Sequence, residues 1–430
     1  MRIAYIAAGA AGMYCGSCIN DNTLALALRH KGVDLSLIPT YTPLRTDGPD
    51  ASIDRVFYGG INVYLQQKLA FFRRAPELVD RLMNARTLLK SLSWFSGSTH
   101  AEELGALTVS ILKGEEGAQR KELEKLARWL KDDLRPDLVH LTNSMFLGVV
   151  RELKRELGVP VLCSVQGEEV FLNGLVEPYR DEALHAMRDR AGDVDAFVAT
   201  CEWYAASMAA YLNAPRERFH VVPLGIRLDG HGRGERVLPE MPFTIGYMAR
   251  IAPEKGLHLL ADAVGRLAER VGKENIRLLA AGYLGRREKR YFRQVVSLIE
   301  SRGLSDAFEY RGEVDRRQKI DFLNSVHVLS VPTPYREPKG LFVLEALANG
   351  TPVVQPRHGA FPELLERTGG GILVEPDSPA ALAEGLFRMM SDREAREAMG
   401  RQGREAVHRT AGDACMAGAM LNVYRHFVAV

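Results

Sequence analysis

Two periodicities alternate along the chain. Short apolar runs rich in Val, Ile, Leu and Ala are followed by longer segments in which apolar residues return every three or four positions, the patterns of buried strands and amphipathic helices. In the first half the runs are RIAYIAA, VDLSLIPT, DLVHL, PVLCSV, AFVAT and FHVVPLG; in the second they are FTIGYMA, IRLLAAG, FEYRG, HVLSVP, TPVVQP and GILVE. Strands that read as unbroken apolar runs, with helices between them, predict parallel sheets covered on both faces. The series starts afresh in the second half, so we expect an α/β protein with two doubly wound, Rossmann-like domains. Residues 224–242, LGIRLDGHGRGERVLPEMP, lack apolar periodicity and carry Gly, Pro and charge, which predicts a linker between domains at 1–223 and 243–408.

Ligands of such sheets sit outside the carboxyl ends of the strands, so the loops that follow strands are the candidates for function. Two domains facing across a hinge would share one cleft, and their closure would exclude water from it. Residues 61–131 break the alternation and read as helices inserted in the first domain. Lys68, Arg73, Arg74, Arg81, Arg86 and Lys90 outnumber Glu77 and Asp80 there, with Phe71, Phe72, Trp94 and Phe95 interspersed. Such a stretch fits either a helical cover packed on its own domain or peripheral contact with an anionic membrane.

Composition narrows the partners. The 430 residues are 46% apolar and carry a formal net charge of +2, which gives no reason to expect a nucleic-acid partner. Five scattered cysteines, Cys15, Cys18, Cys163, Cys201 and Cys415, do not make a disulfide framework, and a cytoplasmic setting is expected. The opening MRIAYIAAGAAGMYCGSC imitates a secretory leader, but glycines interrupt its apolar stretch and a helix-like segment follows directly.

The run VPTPYREPKGLFVLEALANGTPVVQP carries the most chemistry. A strand leads into a turn-rich loop, a helix of good formers closed by Gly350, and the next strand. Glu337 falls in the loop and Glu345 on the helix. The N–H groups of Gly340, Leu341 and Phe342 begin that helix and predict an anion site. Upstream, GYMARIAPEKGLHLL places Arg250 and Lys255 in the loop after the second domain's first strand, where two cations could neutralise a diphosphate.

These segments resemble glycosyltransferase family 4, whose members are retaining enzymes of the two-domain GT-B architecture. ARIAPEKGLHLLADAV is similar to the family's donor-phosphate motif, REPKGLFVLEALANGTPVV to its E-x7-E motif, and HGAFPELL to its Gly-x-x-Pro-Glu turn. The resemblance implies a nucleotide-diphosphate-sugar donor, with its diphosphate on Arg250, Lys255 and the amides of Gly340, Leu341 and Phe342. Glu337 would lie by the transferred sugar and Glu345 by the nucleotide ribose. It also implies hexosyl transfer with retention, no cofactor, no metal and an acceptor of unidentified chemistry. The last stretch, DACMAGAMLNVYRHFVAV, resembles the terminal helix, here 409–430, that crosses back to the first domain in such proteins.

In the first half, YIAAGAAGMYCGSCINDNTLALAL places a glycine-rich loop before a helix, with Asn20, Asp21 or Asn22 expected as its cap. The family resemblance points to Gly16 as the glycine closest to the donor or acceptor. Gln166, in CSVQGEEVFLNG, stands where many members carry a histidine; glutamine can hydrogen-bond a sugar hydroxyl but cannot titrate. Glu168 and Glu169 follow it, and His140 ends an earlier strand, where either a site or a structural role is open. Cys15 and Cys18 at a helix start suit either redox chemistry or simple packing in a tight loop. Two alternatives to a transferase are a nucleotide-sugar-binding protein without turnover, lacking the Glu337 function, and an NAD-dependent oxidoreductase. Against the latter, Gly9, Gly12 and Gly16 miss G-x-G-x-x-G and SLIPTY offers no acid for a ribose.

Overall fold

The structure is a computed structural model that describes residues 1–8, 16–46, 48–57, 101–233, 236 and 238–428. The chain divides into two compact units, one of Met1–Leu224 with Asp413–Val430 and one of Gly225–Gly412. Each holds a six-stranded sheet in which every pair is parallel.

In the first unit the strands are β1 (Arg2–Ala7), β2 (Asp34–Pro39), β3 (Leu138–Leu141), β4 (Val161–Ser164), β5 (Ala196–Ala199) and β6 (Phe219–Val221). Their order is β2-β1-β3-β4-β5-β6. In the second unit they are β7 (Phe243–Met248), β8 (Ile276–Ala281), β9 (Phe308–Tyr310), β10 (Val328–Leu329), β11 (Val353–Pro356) and β12 (Gly371–Val374). The order there is β12-β11-β10-β7-β8-β9. All twelve apolar runs picked from the sequence contain a strand. The central ones are buried end to end, as at β3, β4 and β7, because helices cover both faces.

The C-terminal helix, Asp413–Phe427, belongs to the first unit. Met416, Met420 and Tyr424 recur every four residues and share one apolar cluster with Leu24 and Leu28 of the Gly16–His30 helix. Of the 61–131 insert, residues 61–100, and with them the basic aromatic stretch, lie outside the described residues. The following helices, Ala101–Leu112 and Arg120–Trp129, bury Leu112, Leu123 and Leu126 in the first unit, and Trp129 packs on Phe57 with ring centroids 4.9 Å apart. Among the described residues no helix is long and apolar enough to cross a membrane.

Candidate active site

Strand β7 pairs with β8 on one side and β10 on the other, and the chain leaves β7 toward β8 but leaves β10 toward β11. This reversal makes a topological switch point, where two neighbouring strand-end loops diverge and leave a crevice. The loop after β7 carries Arg250 and Lys255; the loop after β10 carries Glu337.

Local rules fix both loops. Tyr247, buried near the end of β7, donates its hydroxyl to Arg250 O at 3.1 Å and curls the first loop. The single turn Pro253–Lys255 then meets Gly256 at φ +73°, where a Cβ would lie 2.0 Å from Pro332 O. Only glycine lets the two loops lie this close. On the other side, Ala360 N–H donates to Glu337 O at 2.8 Å, and a Cβ on Gly359 would fall 2.5 Å from that same oxygen. The Gly-x-x-Pro-Glu turn is therefore the backing plate of the Glu337 loop.

Between these supports, Lys255 Nζ donates to Glu337 Oε2 at 2.6 Å and to Tyr335 Oη at 2.8 Å. The Tyr335 hydroxyl donates to the same carboxylate oxygen. Glu337 Oε1 accepts weakly from the N–H groups of Lys339 and Gly340, at 3.3 and 3.4 Å. Glu337 is 3% exposed. Burial pushes its carboxyl up, but the charge and hydrogen bond of Lys255, with the Tyr335 hydroxyl, outweigh burial and hold it at about 2. It is ionised throughout the neutral range.

Gly340, at φ +73°, caps the Leu341–Ala348 helix, whose first N–H groups have no partner within the helix. The Glu337 carboxylate thus rests in a ready-made anion cradle of one ammonium, one hydroxyl and helix-start amides.

Arg250 is held apart from this group: its guanidinium pairs with Glu254 and, at 3.5 Å, with Glu288. Glu345, in the second turn of the helix, pairs with Lys319 of the Arg316–Asn324 helix at 2.6 Å. Of the residues picked from the sequence, the structure joins Lys255, Glu337 and Gly340 directly. Tyr335, Lys319, Glu254 and Glu288 were missed. Tyr335 stood two positions from Glu337 in the quoted loop and could have been found; the other three are identified only by folding.

The first unit has its own switch point, between β1 and β3. Gly16 is exposed at the start of the Gly16–His30 helix. Because the helix begins there, Asn20, Asp21 and Asn22 lie inside it rather than capping it, which corrects the expectation above. All three are buried; Asp21 and Asn22 serve tertiary partners instead, while Asn20 Oδ1 has no partner among the described residues. Asp21 accepts from Tyr5 at 2.8 Å, Thr142 at 2.5 Å and Gln166 at 2.8 Å, while Asn22 bonds Pro49 O and Ala51 N, each at 2.8 Å. Gln166 Nε2 also donates to Thr142 O at 2.9 Å, which leaves Oε1 buried and unpartnered among the described residues. Glu168 accepts from Ser144 N, Ser144 Oγ and Gln166 N, and Glu169 accepts from the Tyr204 hydroxyl.

His140 is fully buried between Tyr424 Oη at 2.6 Å and Ser164 Oγ at 2.9 Å, and burial lowers its pKa to about 3. That is a structural histidine. Cys18 is buried in the first turn of its helix, and Cys15 lies outside the described residues, as do Gly9 and Gly12.

Sequence profiles match both units. The profile described as "Glycosyl transferase 4-like domain" matches residues 22–225 and that of "Glycosyl transferases group 1" matches 232–406. The chain is similar to D-inositol 3-phosphate glycosyltransferase of Thermobifida fusca, 26% identical over 82% of this chain and 85% of that one. The same-named protein of Xylanimonas cellulosilytica is 30% identical over 54% of this chain and 56% of its own length. Among solved structures, sucrose-phosphate synthase of Thermosynechococcus elongatus superposes with a TM-score of 0.70 at 18% identity, covering 99% of this chain and 98% of that one. Anabaena HepE in complex with UDP-glucose superposes with a TM-score of 0.67 at 14% identity, covering 99% and 100%. Two glycosyltransferase profiles in tandem, on two parallel six-stranded sheets, establish that the chain is a glycosyltransferase of the GT-B fold.

Proposed function

We propose that this glycosyltransferase is a retaining hexosyltransferase that takes its sugar from a nucleotide-diphosphate donor without a bound metal. The observation that carries the reading is the Lys255–Glu337 pair at the β7/β10 switch point, seated against the start of the Leu341–Ala348 helix. Cleavage of a sugar–phosphate bond develops negative charge on the leaving diphosphate and positive charge at the anomeric carbon. Lys255 and the amides of Gly340, Leu341 and Phe342 supply fixed positive potential for the first, and ionised Glu337 supplies negative potential for the second. Arg250 joins the diphosphate after exchanging Glu254 and Glu288 for phosphate oxygens, a trade between anions that leaves its charge compensated.

Glu345 takes the ribose hydroxyls, with Lys319 holding the carboxylate in place. Gly16 and Gln166 contribute the donor or acceptor loop of the first unit. Glu337 acts by electrostatic support and sugar positioning; an acid ionised down to about pH 2 has no proton to give at neutral pH. HepE structures with UDP and UDP-glucose support a nucleotide-sugar donor, and the relatives' name makes D-inositol 3-phosphate one acceptor to include in a panel.

The test is a transfer assay with UDP, GDP and ADP sugars, in parent and Glu337→Ala proteins, with donor binding followed by thermal shift. Transfer lost by at least about 100-fold with donor binding largely kept is the expected result. A parent protein that turns over no donor, or an alanine variant that transfers normally, refutes it. Activity should survive EDTA, and the product's anomeric proton coupling should match the donor's.

A further inference from the structure

A cavity of about 530 Å³ opens in the second unit at the opposite ends of its strands from Glu337. His327 and Pro352, which line it, immediately precede β10 and β11; Asn349 and Gly350 end the helix that Gly340 begins. Eight residues at about 1.5 Å each separate it from the candidate active site by roughly 12 Å. The lining is dominated by one cation type. Arg393, Arg396, Arg401 and Arg404 project from one stripe of the Arg393–Thr410 helix, at spacings of three, five and three, and Arg236 faces them.

Five arginines share the cavity with two carboxylates, Glu240 and Glu397. Among the described residues only Arg393 has an ion pair there, with Glu397 at 2.8 Å. Among the described residues the others hydrogen-bond backbone carbonyls or make no hydrogen bond, although the Glu397 charge also attracts Arg396 and Arg401. Arg236 bonds Gly350 O and Val326 O, Arg396 bonds Met389 O at 2.7 Å, and Arg404 bonds Gly232 O. Arg236 Nε is buried with no partner among the described residues. Capping accounts for Arg236 on Gly350 O past the end of the Leu341–Ala348 helix and for Arg396 on Met389 O at the end of the Pro379–Ser391 helix, but not for Arg401 on the same stripe as Arg396.

His327 adds no charge. Its Nδ1 accepts Thr244 N–H at 2.9 Å, so Nε2 carries the proton and donates to Pro239 O at 2.9 Å; the imidazole is neutral. Gathering guanidinium groups around a concave space without matching carboxylates is unfavourable unless an anion completes the set, and planar guanidinium suits phosphate oxygens. The volume lies in the range of small-molecule sites.

We propose that this arginine-lined cavity is a binding site for a small phosphate-bearing anion, separate from the donor site. The probe is inorganic pyrophosphate, titrated calorimetrically into the full chain with UDP in excess to occupy the donor site. Wild type should bind pyrophosphate, and Arg393→Glu/Arg401→Glu should bind it at least tenfold more weakly with an unchanged anion-free melting temperature. Both residues are exposed, and Arg401→Ala removes one cation without breaking any described hydrogen bond or ion pair, so it serves if the double variant misfolds. No pyrophosphate binding by wild type, or equal affinity in wild type and variant, overturns the site. Absence of UDP binding with Arg401-dependent pyrophosphate binding would instead refute the donor reading and leave this one standing.

Discussion

Lys255 and Glu337 stand 82 residues apart in sequence and 2.6 Å apart in space, with side-chain exposures of 19% and 5%. The asymmetry decides what each mutation costs. Lys255→Ala strands a buried carboxylate and should destabilise the fold by about 2–4 kcal/mol. Glu337→Gln leaves a lysine that can still reach water, and about 1 kcal/mol is expected. The carboxyl titrates near 2 when folded against 4.5 for an ordinary one, so its contribution is complete above pH 4.5 and disappears as pH falls toward 2. Chemical denaturation of the three proteins at pH 7 checks the ranking. A parent whose lead over Glu337→Gln stays constant from pH 5 to pH 3 would contradict the linkage.

Gly359 should be as sensitive as any residue that touches substrate. At φ +60°, with a Cβ landing 2.5 Å from Glu337 O and 2.7 Å from its N, Gly359→Ala must push the Glu337 backbone aside. Strain of about 1–3 kcal/mol is expected. The displacement should cost transfer activity tenfold or more while nucleotide binding through Glu345 changes little. Full activity in a soluble, folded alanine variant would show that the turn does not position Glu337.

Much of this was legible in the sequence because buried parallel strands are written as unbroken apolar runs, and every such run holds a strand. The loop and helix around Glu337 were legible for the same reason: Gly340 and Gly350 punctuate the helix in sequence as they do in space. Partner choice was not. Arg250 and Lys255 read alike in the loop, yet one folds against Glu337 and the other against Glu254 and Glu288. Asn20, Asp21 and Asn22 read as a helix cap because polar residues at a helix start usually are one. The structure spends Asp21 and Asn22 on Thr142, Gln166 and the 49–51 loop, contacts up to 145 residues away that no local rule encodes.

The Glu345–Lys319 pair predicts a binding defect without a chemical one. Glu345 lies in the second turn of the helix that follows the Glu337 loop, and its carboxylate is held by a lysine that is itself only 10% exposed. Glu345→Gln should raise the nucleotide Kd about tenfold, the loss of one charge-assisted hydrogen-bond set, with kcat at saturating donor nearly unchanged. Lys319→Met should weaken binding less, because the carboxylate remains but loses its fixed position. Calorimetric titration with the preferred nucleotide measures both. A kcat collapse in Glu345→Gln would move that residue into the chemistry.

Acid sensitivity above pH 4.5 should come from histidines rather than from Glu337. Burial lowers His140 to about 3 and His327 to about 4, against 6.5 for an ordinary imidazole. Below pH 6.5 the unfolded chain takes up protons that these folded sites refuse, so stability is lost as pH falls, by up to about 1.4 kcal/mol per pH unit for each. His140→Asn cannot ionise. It should be less stable at pH 7, having lost its fit between Tyr424 and Ser164, yet its stability should fall with a slope about 1 kcal/mol per pH unit shallower between pH 6 and 5. Tyr424→Phe removes the hydroxyl and keeps the imidazole; it should lower the whole curve by about 1 kcal/mol and retain the parent slope. Urea unfolding at pH 5, 5.5 and 6 separates the two variants. Parallel slopes for parent and His140→Asn would mean that His140 is protonated in the folded protein, and its place between two hydroxyls would then have to be read as that of a charged group.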